Sequence, residues 1–238
     1  MTDPWVEGPG GGRLWTHTTG TGEALLLVNG GPGMADYLEP LAQLLPPSLK
    51  AIRYEQRHCG RSSCEGDLSL DAFVADIDVL REHFGAARWI LIGHSWGVDL
   101  ALAYALRHPD RCKGIVGLAG GRVHNDRTWH AAYTARRDEE QPGPTAGAAN
   151  MEVNRALNAS WRSFCRRPTL LRELADLQTP VHFIMGRADI RPSWPTEQLA
   201  ALLPNASIEI LANADHYVWR QQPTVFGARL QAALRRFH

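Results

Sequence analysis

Long apolar runs and a net charge are both missing from this sequence of 238 residues. No apolar run approaches the roughly 18 residues that a membrane-spanning helix requires, which argues against a transmembrane protein. The 25 basic and 25 acidic residues cancel, so no overall field attracts a polyanion or an anionic lipid surface. We therefore expect neither nucleic acid nor a membrane as a partner.

The sequence also shows neither the pattern of a signal peptide nor that of a disulfide framework. The N-terminal stretch MTDPWVEGPGGGRLW has an acidic residue and glycines where a secretory signal has a basic region and an apolar core. The four cysteines, Cys59, Cys64, Cys112 and Cys165, are scattered, which is not the pattern of a small disulfide-rich domain. We expect free thiols and a cytoplasmic protein that is a monomer or a small homo-oligomer.

Short apolar runs alternate with longer segments of helical period, which is typical of a mostly parallel α/β sheet flanked by helices. The predicted strands are 14–18, 25–28, 51–55, 89–92, 114–118, 181–185 and 208–211. The predicted helices are 37–45, 70–84, 96–107, 196–203 and 223–237. The chain length and this alternation favour one large core.

The alternation stops between Gly120 and Thr179, and this segment is rich in Arg, Trp and Ala. Strands and helices resume at Pro180. We therefore predict a core formed by residues 1–119 and 180–238, and a small helical cap formed by residues 120–179.

The sequence Gly93-His-Ser-Trp-Gly97 follows the apolar run 89–92 and opens a predicted helix. This is the G-x-S-x-G pattern of a nucleophile elbow, in which a sharp turn from strand to helix exposes a serine hydroxyl. A Cβ at either glycine would clash in such a turn. The pattern predicts Ser95 as a nucleophile, although a glycine-serine turn that only caps a helix remains the alternative.

A serine hydroxyl needs a base to take its proton and an acid to orient that base. His216 follows the last predicted strand, and Asp189 follows the strand before it. The order Ser95, Asp189, His216 is the order of nucleophile, acid and base in this type of fold. Asp215 is the rival acid, but it adjoins His216 in sequence, and neighbouring side chains rarely face each other across a loop.

Two backbone N–H groups are needed to stabilise the oxyanion of a tetrahedral intermediate. The residue after the nucleophile, Trp96, supplies the first. The second is expected from Asn29-Gly-Gly-Pro-Gly33, which directly follows a predicted strand. A phosphate-binding loop is the competing interpretation, but no GK[ST] sequence follows the glycines.

Four further segments bear on the family to which the sequence is similar. They are Tyr54-Glu-Gln-Arg-His-Cys-Gly-Arg-Ser62, Leu100-Ala-Leu-Ala-Tyr104, His108-Pro-Asp-Arg111 and Gly186-Arg-Ala-Asp189. Together with 29–33 and 93–97, they resemble the proline iminopeptidase branch of the α/β-hydrolases. The resemblance implies an α/β-hydrolase fold with its cap inserted after the sixth strand, and no metal or organic cofactor. It also implies that Gly31 is the second oxyanion donor and that Gln56 and Arg57 support the site.

The sequence departs from that family at Asn29, where the family has histidine, and at His58, where it has glycine. The insertion is also shorter than in a true iminopeptidase. Between Arg122 and Asp176 it holds nine arginines and seven acidic residues, which does not favour a pocket for a substrate amine. Glu152 is the best candidate for an amine anchor, and a solvated helix residue is its alternative role.

These observations predict a serine hydrolase that forms an acyl-enzyme at Ser95 and cleaves a small ester, amide or N-terminal peptide bond. The partner is a small-molecule or short-peptide substrate, whose apolar part meets aromatic side chains of the cap. The alternative is that these aromatics only pack between the cap and the sheet. The candidate aromatics are Trp129, Tyr133, Trp161 and Phe164. A proline iminopeptidase proper, a thioesterase, and a non-hydrolytic cyclase or ligand-binding protein that keeps the fold remain alternatives.

Overall fold

A single eight-stranded sheet runs through the part of the chain that the computed structural model describes, residues 4–63, 66–123, 127–143 and 149–237. The strands are β1 (Trp5–Glu7), β2 (Arg13–Thr19), β3 (Glu23–Val28), β4 (Leu49–Tyr54), β5 (Trp89–His94), β6 (Cys112–Leu118), β7 (Val181–Gly186) and β8 (Ala206–Leu211). Their order in the sheet is β1-β2-β4-β3-β5-β6-β7-β8. The β1–β2 and β2–β4 pairs are antiparallel and the others are parallel, which confirms the predicted sheet.

Helices cover both faces of this sheet. They are α1 (Glu39–Ala42), α2 (Leu70–His83), α3 (Trp96–Arg107), α4 (Arg127–Arg136), α5 (Met151–Cys165), α6 (Leu170–Asp176), α7 (Trp194–Leu202) and α8 (Pro223–Leu234), with 3₁₀ turns at Arg137–Glu139 and Arg235–Phe237. Buried side chains of α2, α3 and α7 share one apolar cluster, and those of α1 and α8 share a second. The predicted flanking helices are confirmed.

The central strand β5 shows why both faces must be covered. Trp89 and Leu91 belong to one apolar cluster, while Ile90 and Ile92 belong to the other. Alternate side chains of a strand point to opposite faces, so a continuous apolar run is stable only between two layers of helices. This strand carries Ser95 at its carboxyl end.

Two details at the N-terminal half differ from expectation. Strand β1 was not predicted, because a three-residue strand followed by glycines carries almost no periodic signal. The helix expected at 37–45 spans only Glu39–Ala42. Pro40 lacks an N–H and its ring excludes a helical carbonyl four residues earlier, so a helix cannot begin as early as Tyr37 and continue through it.

Three α-helices, α4 to α6, lie between β6 and β7. Helix α5 is tied to the loop after β3, since the Asn150 N–H donates to the Gly33 carbonyl at 2.8 Å and Asn154 Nδ2 donates to the Pro32 carbonyl at 2.9 Å. Among the described helices, none combines the length and the apolar character needed to cross a bilayer. Cys59 and Cys112 are buried free thiols and Cys165 is a half-buried one, while Cys64 lies outside the described residues.

Candidate active site

Ser95 stands between β5 and α3 with a backbone that few serines adopt. Its φ is 53° and its ψ is −121°, in the region where a Cβ is disfavoured. Ser95 is the N-cap residue of α3, yet its side chain accepts no hydrogen bond from the helix. The alternative of a serine that merely caps a helix is therefore wrong, and the hydroxyl is left over for another use.

The two glycines of the elbow leave room for this turn. A Cβ on Gly93 would press on the Gly97 carbonyl, and a Cβ on Gly97 would press on the Val28 carbonyl. Gly120, just after β6, is packed in the same way against the backbone of Ser95. The predicted clashes at Gly93 and Gly97 are confirmed, and the elbow is held between the ends of β3 and β6.

Asp189 and His216 come together at the carboxyl edge of the sheet. Asp189 Oδ2 lies 2.7 Å from His216 Nδ1, and Asp189 Oδ1 accepts the Arg191 N–H at 2.9 Å. Burial raises the pKa of Asp189, but the hydrogen bonds and charges of His216 and Arg191 outweigh it, so the pKa lies below its usual value. The carboxyl is thus ionised at neutral pH and can hold a proton on His216 Nδ1.

Asp215 has a different role. Its Oδ1 accepts the Tyr217 N–H at 2.8 Å, which shapes the turn after β8. Asp189, rather than Asp215, is the carboxylate paired with the imidazole of His216.

A buried polar bridge links the Ser95 elbow to the His216 loop. His94 Nε2 lies 2.9 Å from the His216 carbonyl oxygen, and a carbonyl can only accept. His94 Nδ1 therefore accepts from Tyr37 Oη at 2.6 Å, and Tyr37 Oη accepts the Gly30 N–H at 2.7 Å. Burial holds the pKa of His94 well below its usual value, which keeps this bridge uncharged.

The bridge fixes where His216 sits relative to Ser95. The imidazole rings of His94 and His216 lie 4.8 Å apart between centroids, and His94 is the chain neighbour of Ser95. No hydrogen bond joins the Ser95 hydroxyl to His216 in the described structure, and such contacts are often long before a substrate binds. Because both ring nitrogens of His94 are occupied, His94 is a positioning residue and not a second base.

The loop after β3 presents Gly31 with a φ of 62°. The Gly30 N–H donates to Tyr37 Oη, whereas the Gly31 N–H makes no hydrogen bond within the described residues. Asn29 Nδ2 donates to the Met34 carbonyl at 3.1 Å, and Gln56 Nε2 donates to the Asn29 carbonyl at 3.0 Å. Trp96 is the first residue of α3, where N–H groups have no partner within the helix.

Gln56 and Arg57, expected together as supports, separate in the structure. Gln56 contacts the Asn29 loop, as described, whereas Arg57 forms a buried ion pair with Asp76 through Nε at 2.7 Å and Nη2 at 2.6 Å. Arg57 therefore anchors helix α2 beneath the site. Asn29 stands where the family has histidine, and its side chain donates a hydrogen bond to the Met34 carbonyl of its own loop.

A cavity of about 170 Å³ opens above Ser95 and Trp96. Two of the four predicted aromatics, Trp129 and Trp161, line it. The other two stand behind them, because Tyr133 stacks on Trp129 at 5.4 Å and Phe164 stacks on Trp161 at 5.0 Å between ring centroids. On the side formed by α4 and α5, the cavity is thus bounded by aromatic rings that are stacked two deep.

Glu152 does not reach this cavity. It is exposed at the first turn of α5, whereas the acidic side chain in the cavity wall is Asp99. Asp99 lies one helical turn after Ser95, and residues four apart share a helix face, a signal that the sequence contained. Arg191 also lines the cavity and pairs with both Asp189 and Glu140.

Asp99 accepts the Arg122 N–H at 3.0 Å. Burial raises its pKa from an ordinary 3.8 to about 7, and the amide and charge of Arg122 offset this only in part. Between about pH 4 and pH 7, the folded protein therefore keeps a proton on Asp99 that the unfolded chain has released. The stability that this proton contributes is fully present below about pH 4 and is lost as the pH rises through 7.

We expect Asp99→Asn to remove that dependence. Between pH 5 and pH 8, the free energy of unfolding of the wild type should fall by about 1–3 kcal/mol more than that of the variant. Urea denaturation at each pH measures it. Asp110→Asn, at an exposed position, is the control and should show no such trend. A difference between wild type and Asp99→Asn that stays constant with pH would contradict a raised pKa.

Within the described ranges, no group of three or more His, Cys, Asp or Glu side chains is arranged to hold a metal ion. The polar groups at the carboxyl edge of the sheet are instead arranged as a serine, an imidazole and a carboxylate. Such a set can activate a hydroxyl for attack on a carbonyl carbon.

Comparison with known proteins agrees with the fold. A family model described as alpha/beta hydrolase fold matches residues 23–183. The chain is 39% identical over 98 residues to a proline iminopeptidase of Neisseria gonorrhoeae, covering 40% of this chain and 32% of that protein. It is 37% identical over 106 residues to a proline iminopeptidase of Saccharolobus solfataricus, covering 42% and 34%. The matched region thus spans only about a third of these relatives.

Solved structures resemble the whole chain. A thermophilic esterase from Thermogutta terrifontis has a TM-score of 0.78 at 22% identity, covering 98% of both chains. A proline iminopeptidase from Mycobacterium smegmatis has a TM-score of 0.78 at 18% identity, covering 98% of this chain and 97% of that one. At such identities the likeness establishes the fold alone.

Proposed function

The chain belongs to the alpha/beta hydrolase fold family, and we propose that it is a serine hydrolase that cleaves a small ester, amide or N-terminal peptide bond through an acyl-enzyme on Ser95. One observation carries the proposal. The His216 ring, bonded to Asp189, lies 4.8 Å from the ring of His94, the residue before a serine whose hydroxyl makes no bond to the helix it begins.

In the proposed reaction, His216 Nε2 takes the Ser95 proton as Oγ attacks the carbonyl carbon, forming a C–O bond and a tetrahedral oxyanion. Asp189 holds the Nδ1 proton and stabilises the imidazolium. The same proton passes to the leaving alcohol or amine as its bond to carbon breaks. Water, deprotonated by His216, then attacks the acyl carbon. The bond from that carbon to Ser95 Oγ breaks as Oγ takes the proton back from His216, which releases the acid and the free enzyme.

The oxyanion is stabilised by the N–H groups of Gly31 and Trp96. These donors lie at a helix N-terminus and at a loop fixed by Asn29, Gln56 and the Tyr37–His94 bridge. Because they are held in place before substrate arrives, they need no reorganisation as charge develops on the oxygen. This arrangement supports acyl transfer in general and does not by itself select the leaving group.

An acyl p-nitrophenyl ester and proline p-nitroanilide separate the two leading substrate classes. We expect measurable turnover of a short-chain ester, with kcat/KM for the proline arylamide lower. Strong preference for the arylamide would make the protein a proline iminopeptidase, the name carried by the relatives in sequence. Turnover of neither compound at high enzyme concentration would contradict a hydrolase with this specificity.

Blocking the α-amine of a small substrate is expected not to abolish turnover. An amine pocket needs a partly desolvated carboxylate, because a charged ammonium out of water must be paired. Glu152 is exposed, and Asp99 already accepts from Arg122. The measurement compares kcat/KM for free and N-acetylated forms of one aminoacyl ester.

A preference for the free amine above roughly 100-fold, about 2.7 kcal/mol, would contradict this prediction. Glu152→Gln and Asp99→Asn then identify the anchor, since only the variant that lacks the responsible carboxylate would lose the preference. A loss in Glu152→Gln would point to a movement of α5 toward the site.

A further inference from the structure

A second cavity, of about 520 Å³, lies on the cap side of the protein. Its basic lining residues are Arg122, His130, Arg162 and Arg166, and no acidic residue of the described chain lines it. The formal charge of the whole sequence is zero, so this is a local concentration of positive charge. We call it the arginine pocket.

The arginine pocket adjoins the cavity above Ser95. Arg122, Asn158 and Trp161 line both of them. Trp161 is also packed edge to face on Trp96 at 5.5 Å between ring centroids, next to the serine. The two cavities therefore share a wall at Trp161, beside the serine.

Arg162 and Arg166 lack an ion-pair partner among the described residues. Neither lies within 4.0 Å of a described carboxylate, whereas Arg167, beside them in sequence, pairs with Glu173 at 2.6 Å. Both are exposed, Arg162 in the last turn of α5 and Arg166 at its C-cap four residues later. Two like charges at this spacing repel each other weakly, and a bound anion would relieve that repulsion.

The end of α5 does attract cations, because its free carbonyl groups form the negative end of the helix dipole. That attraction accounts for basic residues near Cys165 but not for their position around a cavity that shares a wall with the one above Ser95. Guanidinium groups match the two oxygens of a carboxylate or phosphate, forming paired hydrogen bonds in one plane.

We propose that the arginine pocket binds an anionic group of the substrate, a carboxylate or a phosphate, while its ester or amide carbonyl lies at Ser95. Arg162 and Arg166 are then specificity-determining residues that select substrates with a negative end. The inference rests on the proposed function, since it places the reacting carbonyl at Ser95. It narrows the substrate class from any small ester to one with an anionic arm.

The first test compares a charged and a neutral ester, p-nitrophenyl hydrogen suberate and p-nitrophenyl methyl suberate, whose chain is too long for the carboxylate to attack its own aryl ester through a small ring. A second pair, 5-acetoxypentanoate and its methyl ester, carries the charge on the alcohol side. In one of the two pairs, the wild type should favour the anionic ester by about tenfold in kcat/KM, the size expected when a charged hydrogen bond is added. No preference in either pair would overturn the proposal.

The second test uses the double variant Arg162→Gln/Arg166→Gln. Its ratio of kcat/KM for anionic over neutral ester should fall severalfold, since two of the basic side chains that attract the anion are gone while Arg122 and His130 remain. Arg155→Gln is the matched control, because Arg155 is exposed on the same helix and lines neither cavity. A double variant with the wild-type ratio would overturn the proposal and leave only the helix-dipole role.

Competitive inhibition distinguishes the two anions. Glutarate and butyl phosphate are compared as inhibitors of neutral-ester turnover, and the one with the lower inhibition constant identifies the preferred group. For either anion, the constant should rise in the double variant and not in Arg155→Gln. Inhibition equal in all three proteins would count against the pocket.

A binding measurement keeps this inference separate from the hydrolase proposal. Ligand-observed NMR follows glutarate, dimethyl glutarate and butyl phosphate with Ser95→Ala, and with the same variant carrying Arg162→Gln/Arg166→Gln. Glutarate binding that is lost when the two arginines are replaced would support the pocket. Absence of ester turnover together with such binding would count against the hydrolase proposal alone. Absence of glutarate and butyl phosphate binding would overturn the pocket whatever the turnover.

Discussion

Ser95→Ala is expected to lower kcat/KM for any ester substrate by about 10⁵–10⁶-fold, to the level that binding and oxyanion stabilisation alone provide. The proposed reaction has no other atom that can form the acyl-enzyme. Because the Ser95 hydroxyl caps no helix N–H, its removal should change the free energy of unfolding by less than about 0.5 kcal/mol. Initial rates and urea denaturation of the purified variant measure the two effects.

Ser163→Ala serves as the control, since Ser163 is exposed on α5 and should retain wild-type rates. A Ser95→Ala protein that is folded and keeps more than about a tenth of the wild-type rate would contradict a nucleophilic role for this serine. Loss of activity with loss of the folded state would call for Ser95→Cys, which keeps a side-chain nucleophile in the same backbone.

Asp189→Asn is expected to lower kcat by about 10⁴-fold at neutral pH while the fold is kept. An asparagine cannot supply the negative charge that fixes the proton on His216 Nδ1 and stabilises the imidazolium. Its remaining oxygen can still accept the Arg191 N–H that now bonds to Asp189 Oδ1, so the loop after β7 should hold its shape. Steady-state kinetics and circular dichroism separate catalysis from folding.

Asp215→Asn is the matched comparison. Asp215 directly precedes His216, but its Oδ1 accepts a hydrogen bond from the backbone N–H of Tyr217 in the same turn. We expect a change in kcat of less than about tenfold there, since no proton transfer depends on it. If Asp215→Asn were the more damaging of the two, the carboxylate that orients His216 would have been chosen wrongly.

The sequence was informative wherever one local turn requires particular residues. Gly93 and Gly97 are needed because carbonyl groups lie where their Cβ atoms would be, so the elbow could be predicted from a five-residue pattern. Asp189 and His216 could be predicted because each follows a strand of strong apolar pattern, and parallel strands bring their carboxyl ends to one edge.

Features that depend on contacts between distant segments were not predictable in this way. The bridge from Gly30 through Tyr37 and His94 to the His216 carbonyl joins three segments of the chain, and no spacing in the sequence announces it. The arginine pocket likewise combines α5 with the segment after β6. Counting arginines in the insertion suggested excess positive charge but could not show which residues face the cavity.

Glu152 and Asp99 illustrate the same limit for a single charge. Glu152 was chosen because it lies in the insertion, where the family resemblance implies an amine anchor, yet it is exposed. Asp99 lines the cavity from the first turn of α3. Its place four residues after Ser95 was visible in the sequence, but its burial against Arg122 follows only from the packing of the segment after β6.

The central claim is that His216 and Asp189 activate Ser95, and labelling with a fluorophosphonate tests it most directly. This reagent forms a covalent bond with a serine whose hydroxyl a neighbouring base activates. Intact-protein mass spectrometry should show one adduct on the wild type, peptide mapping should place it on Ser95, and Ser95→Ala should remain unlabelled. An adduct on another residue, or undiminished labelling of Ser95→Ala, would contradict the account.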